Sequence, residues 1–148
     1  MASTYVKLQY HLVFSTKNRN PSIQTDWDTR LYTYLNGCLR QVGCIPLEIG
    51  GHLDHVHILT GMKPTHRVCD VVCDIKSASS RWVHDTLRLG TFAWQEGYGA
   101  FTASTRDVAR LRQYIQTQKE HHRVRTFLVE YMELLEEAGI DWDPRYLG

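Results

Sequence analysis

Along VKLQYHLVFSTK, Leu8, Tyr10, Leu12 and Phe14 fall at alternate positions, a spacing that puts them on one face of a strand. KNRNPS interrupts this pattern as a loop. From Asp26 to about Val42 the period lengthens, with Leu31, Tyr34, Leu35, Cys38, Leu39 and Val42 at helical spacing and Gly43 as a stop. Two short strands, Ile45 to Ile49 and His55 to Thr60, flank GGHLD. Val68 to about Thr86 returns to the helical period, with Val68, Val71, Val72, Ile75, Ala78, Ser79 and Trp82 inward. The second half of FAWQEGYGAFTAS supplies a closing strand. The order β-α-β-β-α-β predicts an α+β fold with a ferredoxin-like (RRM-like) sheet. Two C-terminal helices follow, Asp107 to about Glu120 and Phe127 to Ala138, the latter with Phe127, Leu128, Tyr131, Leu134 and Leu135 on one face and Gly139 at its end.

A chain of 148 residues with 43% hydrophobic content buries a core as one globular domain, 1–148, without covalent staples. No repeat, low-complexity tract or obvious linker divides it. Its apolar runs fall far short of the roughly 20 residues that span a bilayer, and MASTYVKLQY lacks the features of a signal peptide. A cytoplasmic protein is expected. Cys38, Cys44, Cys69 and Cys73 have no C-x-x-C spacing, so they read as buried free thiols, and the pair at 69 and 73 lacks a matching second pair for zinc.

The net charge of +1 conceals an uneven distribution. Residues 126–148 hold Glu130, Glu133, Glu136, Glu137, Asp141 and Asp143 against Arg145 alone, leaving 16 basic and 10 acidic side chains on the other 125 residues. That moderately basic body suits a phosphate-rich partner, although solvated surfaces give similar numbers.

Three histidines and an aspartate interrupt the apolar run GGHLDHVHILTG. Residues two apart on a strand share a face, so His55 and His57 project side by side while Val56 and Ile58 turn to the core. Paired neutral imidazoles suit a divalent metal, and one more oxygen or nitrogen would complete a site open to substrate; alternating histidines also serve as ordinary pocket or surface residues. A histidine-triad hydrolase is excluded by Leu53 and Leu59, a zincin by the lack of H-E-x-x-H, and a serine hydrolase elbow by the lack of G-x-S-x-G. Metal-assisted phosphoryl chemistry is the enzyme class left to test. In RLRQYIQTQKEHHR, Tyr114 and Gln118 stand four residues apart, neighbours on one helix face. Gln118 can offer an amide oxygen to a metal and Tyr114 a hydroxyl to a phosphate. A core-edge tyrosine and a solvated glutamine fit the same spacing.

YHLVFSTKNR, DHVHI, IKSASSRW, WQEGYGAF and YIQTQKEHHR, in this order and spacing, resemble the single-tyrosine HUH transposases, of the insertion-sequence-two-hundred-like and REP-associated tyrosine transposase group. HUH denotes His, a hydrophobic residue, His, here His55, Val56 and His57; the helical tyrosine and the glutamine after it map onto Tyr114 and Gln118. The resemblance implies recognition of hairpin single-stranded DNA, and strand cleavage and rejoining through a 5′-phosphotyrosine link. It places a metal at His55, His57 and Gln118 and makes Tyr114 the nucleophile. Two imidazoles and an amide oxygen suit Mg2+, with Mn2+ as substitute, better than zinc.

Asp54, beside the ligand strand, can orient an imidazole or approach the metal, or stand as an exposed loop carboxylate. His52 is expected in the turn; His121 and His122 are expected to meet DNA or cap the helix rather than ligate. Lys17, Arg19, Lys76, Arg81, Arg112 and Arg123 are candidate DNA contacts. Trp94 and Tyr98 can stack bases, although core packing fits an aromatic and glycine-rich segment better. The resemblance also implies a homodimer, with the tyrosine helix docking on the partner's histidines in many members. The Gly97 and Gly99 region and the loop before Asp107 are where the chain would cross; a monomer with its site in cis is the alternative. A non-catalytic ferredoxin-like nucleic-acid-binding or regulatory protein is the competing functional reading.

Overall fold

A computed structural model describes residues 3–147. Strand β1 (Leu8–Ser15) is followed by α1 (Asp28–Gln41), the hairpin β2 (Ile45–His52) and β3 (His55–Met62), α2 (Val68–Thr86) and β4 (Gly99–Thr102). Helices α3 (Val108–Gln116), α4 (Gln118–His121) and α5 (Phe127–Glu137) complete the order. The sheet runs β2-β3-β1-β4 with every neighbouring pair antiparallel, which is the expected ferredoxin-like arrangement.

Period-2 alternation sorts β1 and β3 into two faces. Leu12 and Phe14 lie opposite Ile58 and Val56 and pack with Leu31, Leu35 and Leu39 of α1 and Val71, Val72 and Ile75 of α2. Each such fully buried aliphatic side chain contributes roughly 2 kcal/mol of hydrophobic stabilisation. The other face carries Val13 opposite His57 and Ser15 opposite His55. There Val13 packs under Phe127, Tyr131 and Leu135 of α5 and under Leu147. One face of the sheet is therefore a conventional core, while the other combines a smaller apolar cluster with histidines.

Four details depart from the sequence reading. The second strand runs through GGH, so His52 ends β2 opposite His55 and the turn shrinks to Leu53 and Asp54. Their carbonyls accept backbone bonds from Ile23 (2.9 Å) and Thr16 (2.8 Å), which pins the tight turn. The helix expected over 107–120 breaks at Thr117 (φ −103°, ψ 22°), whose hydroxyl donates back to the Gln113 carbonyl at 2.9 Å, a bond that bends helices. Cys69 and Cys73 are exposed, not buried; Cys44 is buried and Cys38 intermediate. The inward stripe of α2 is Val71, Val72, Ile75, Ser79 and Val83, and at 100° per residue both thiols fall outside it. No helix among the described residues is long and apolar enough to cross a membrane.

Candidate active site

His55 and His57 are fully buried on the sheet face that α3, α4 and α5 cover. His55 Nδ1 lies 2.8 Å from Asp54 Oδ1, so Nδ1–H donates to the aspartate and the Nε2 lone pair points inward. That Nε2 faces Gln118 Oε1 at 2.9 Å and Glu130 Oε1 at 3.5 Å. His57 Nε2 lies 3.1 Å from the same Glu130 oxygen, and its Nδ1 lies 2.8 Å from Nε2 of His11, a β1 residue. Across the group, His122 Nε2 is 3.0 Å from Gln118 Oε1 and 3.2 Å from Glu130 Oε1. The hydroxyl of Tyr114 donates to Glu130 Oε2, and Gln118 Nε2 donates to that oxygen at 3.1 Å.

Two glycines let the covering helices approach this closely. A Cβ on Gly50, which pairs with His57, would lie 2.6 Å from the Ile115 carbonyl oxygen of α3. One on Gly99 would lie 2.8 Å from the Tyr131 ring of α5. Phe127 stacks on the His55 ring with centroids 4.3 Å apart, closing the cluster from α5.

Burial dominates the electrostatics. It drives the His57 pKa down to about 4 against the opposing pull of the Glu130 carboxylate. Burial also lowers His11 to about 3, with His57 adding to the effect. Both imidazoles are therefore neutral near pH 7, the form that ligates metals. At Glu130 burial pushes the pKa upward, but the bonds from His122 and His57 outweigh it and hold the carboxyl ionised, well below the ordinary range. Burial and the adjacent Glu130 charge raise Tyr114, keeping the phenol protonated at rest.

Residues 4–118 match the family described as Transposase IS200 like. This chain belongs to that family. It is 27% identical to the ISDra2 transposase TnpA of Deinococcus radiodurans over 120 residues, 77% of this chain and 86% of the relative. A crystallised protein from Deinococcus radiodurans R1, assigned as a transposase, superposes with a TM-score of 0.63 at 30% identity, covering 80% of this chain and 96% of that one. A REP-associated tyrosine transposase bound to a REP hairpin shares the fold, with a TM-score of 0.61 at 15% identity over 82% of this chain and 73% of its own.

The structure of this transposase brings His55, His57, Tyr114, Gln118 and Asp54 together within one chain. His122 caps α4 as expected, its backbone N–H donating to the Gln118 carbonyl at 3.0 Å, but its side chain also joins the cluster: it faces Gln118 and Glu130, and its Nδ1 lies 2.9 Å from the Arg125 carbonyl oxygen. His121 lies beside the Thr117 hydroxyl at 3.0 Å, its ring 4.9 Å from that of Tyr114. Sequence reading missed Glu130, His11 and His122. Glu130 is three residues after Phe127 and four before Leu134, a spacing that puts a charge on the buried stripe of α5, although the acidic composition of the segment masks it. His11 had a similar signal, alternating out of phase with Leu12.

The candidate DNA contacts scatter. Lys17, Arg112 and Arg123 are exposed and Arg19 is partly buried; Arg123 pairs with Glu120 at 3.0 Å. Lys76 turns inward, its ammonium donating to the carbonyls of Gln95 (2.6 Å) and Gly97 (2.9 Å). Arg81 is exposed on α2, the helix on the sheet face away from the histidines. Trp94 is core, its indole donating to Ser79 at 3.0 Å, while Tyr98 is exposed.

Proposed function

We propose that this transposase cleaves and rejoins hairpin-bearing single-stranded DNA through a 5′-phosphotyrosine intermediate on Tyr114, acting as one catalytic domain over residues 1–148. The observation carrying this reading is the meeting of Tyr114 and Gln118 with His55 and His57 in one buried cluster. The donor set fits a divalent cation. With Asp54 holding the Nδ1 proton of His55, the lone pairs of His55 Nε2, Gln118 Oε1 and Glu130 Oε1 converge, and a proton or cation among them relieves the mutual repulsion. His55, His57 and Gln118 would hold Mg2+, or Mn2+ in its place. Bound there, such an ion supplies charge stabilisation to a nonbridging phosphate oxygen.

Tyr114 supplies the rest. Its oxygen forms a bond to phosphorus as the bond from phosphorus to the 3′ oxygen breaks. The phenol proton leaves along its existing hydrogen bond to Glu130, and the departing 3′ oxygen takes up a proton as a 3′-hydroxyl. One phosphodiester replaces another, so attack by a different 3′-hydroxyl rejoins strands without an external energy source. Asp54 and His11 fix the ring orientations of His55 and His57. Lys17, Arg19, Arg112 and Arg123 remain the candidates for phosphate contacts beyond the cluster, and Lys76 and Arg81 would act from the opposite layer. A homodimer in the cytoplasm belongs to this reading, with Tyr114 acting beside the histidines of its own chain.

Incubation with hairpin single-stranded DNA and Mg2+ or Mn2+, followed by a denaturing gel, is expected to show a covalent protein–DNA adduct. Tyr114→Phe removes the nucleophile and is expected to abolish the adduct. Persistence in that variant overturns the nucleophile assignment; absence with both proteins on every hairpin favours the non-catalytic binding protein.

A further inference from the structure

Glu130 is the charged member of the cluster that α5 provides. Its residue exposure is 0%, and no Lys or Arg accompanies it among its described hydrogen bonds and ion pairs. A single carboxylate oxygen, Oε1, is approached by His57 Nε2 at 3.1 Å, His122 Nε2 at 3.2 Å and His55 Nε2 at 3.5 Å. The other oxygen, Oε2, accepts from Tyr114 and Gln118. Burying a carboxylate among neutral imidazoles without a cation is costly.

These spacings have a simple geometric meaning. Neighbouring donors on one ion, each about 2.1 Å from it, sit about 3 Å apart in an octahedral arrangement and a little more in a tetrahedral one. The separations of 2.9 and 3.0 Å from Gln118 Oε1 to His55 and His122, and of 3.1 to 3.5 Å from Glu130 Oε1 to three imidazoles, fall in that range. His55, His122 and Glu130 offer ligand atoms all within 4.8 Å of one another. The charge argument agrees. His55, His57 and Gln118 are all neutral donors, whereas hard divalent cations prefer at least one anionic oxygen.

We propose that Glu130 is a ligand of the catalytic cation through Oε1, with His122 beside it, and that Oε2 simultaneously positions the Tyr114 hydroxyl. One carboxylate thus ties the nucleophile to the ion, and α5 forms part of the catalytic centre. The proposal rests on the reading that His55, His57 and Gln118 surround a cation.

Titration with MnCl2, followed by the electron paramagnetic resonance signal of free Mn2+, tests both levels. Thermal melts establish that each variant is folded. Glu130→Gln preserves shape and removes the charge, and is expected to weaken Mn2+ binding at least tenfold; His55→Ala is expected to weaken it as well. Wild-type or tighter binding by Glu130→Gln, with loss in His55→Ala, overturns the role of Glu130 and leaves the cation site standing. Unchanged binding in both His55→Ala and His57→Ala brings down the site itself and this inference with it. Crystals of the unaltered chain grown with MnCl2 give a check independent of any variant. An anomalous peak bonded to Glu130 supports the proposal, and a peak on the histidines with Glu130 turned away refutes it.

Discussion

His11 and His57 touch through their ring nitrogens at 2.8 Å, and one proton must serve that contact. When His57 Nε2 donates to Glu130, its Nδ1 accepts from His11; when Nε2 is a bare ligand, Nδ1 donates instead. The pair can therefore switch tautomer without gaining charge, and burial depresses both pKa values to about 3 and about 4 from an ordinary 6.5. The sign for stability follows. Below 6.5 the unfolded chain takes up protons that these folded imidazoles refuse, so their contribution is full above 6.5 and declines as pH falls toward 4. In EDTA, urea unfolding is expected to show stability dropping between pH 6.5 and 4.5 by roughly 1 kcal/mol per pH unit for each of these imidazoles. His11→Gln should show a shallower decline; equal slopes for the two proteins would contradict the account.

At the scale of elements, the site depends on how closely α3 lies against the hairpin. Gly50 makes this approach possible by leaving its Cβ position to the Ile115 carbonyl, 2.6 Å away. Gly50→Ala must push α3, and Tyr114 with it, off the strand. A loss of about 1 to 3 kcal/mol in chemical denaturation is expected, together with less covalent adduct than wild type. A variant of wild-type stability and full adduct yield would show that α3 does not need this contact. The strands and α2 were legible in the sequence because period-2 and period-3.6 patterns report directly which face is buried. Thr117 was not legible as a break, since a threonine inside a helical pattern signals a bend only through the bond its hydroxyl chooses. Glu130 was hidden for a related reason. Charge counts treat a carboxylate as solvated, and only the three-dimensional meeting of α5 with β3 reveals its imidazole partners.

For the whole molecule, both halves of the site come from one chain, with the Tyr114 ring 5.6 Å from that of His57. Mixing Tyr114→Phe with His55→Ala is therefore expected to leave adduct formation absent. Reappearance of adduct in the mixture would establish that helices exchange between subunits. The uneven charge seen along the sequence also acquires a location. Glu133 and Glu137 from the acidic segment line a cleft of about 460 Å³ beside Tyr114, together with Arg110 and Arg125. Arg110 pairs with Asp107 at 3.4 Å and Arg125 with Glu133, so the two arginines offset two of the four acidic side chains that line the cleft. The family match ends at Gln118, yet α5 begins at Phe127. The boundary of the family match and the boundary of the buried cluster do not coincide. A chain cut after Gln118 would keep His55, His57, Tyr114 and Gln118 while stripping the cover from Val13 and His57. Substitutions in α5 therefore reach the surroundings of His57 and Tyr114 without altering His55, His57, Tyr114 or Gln118.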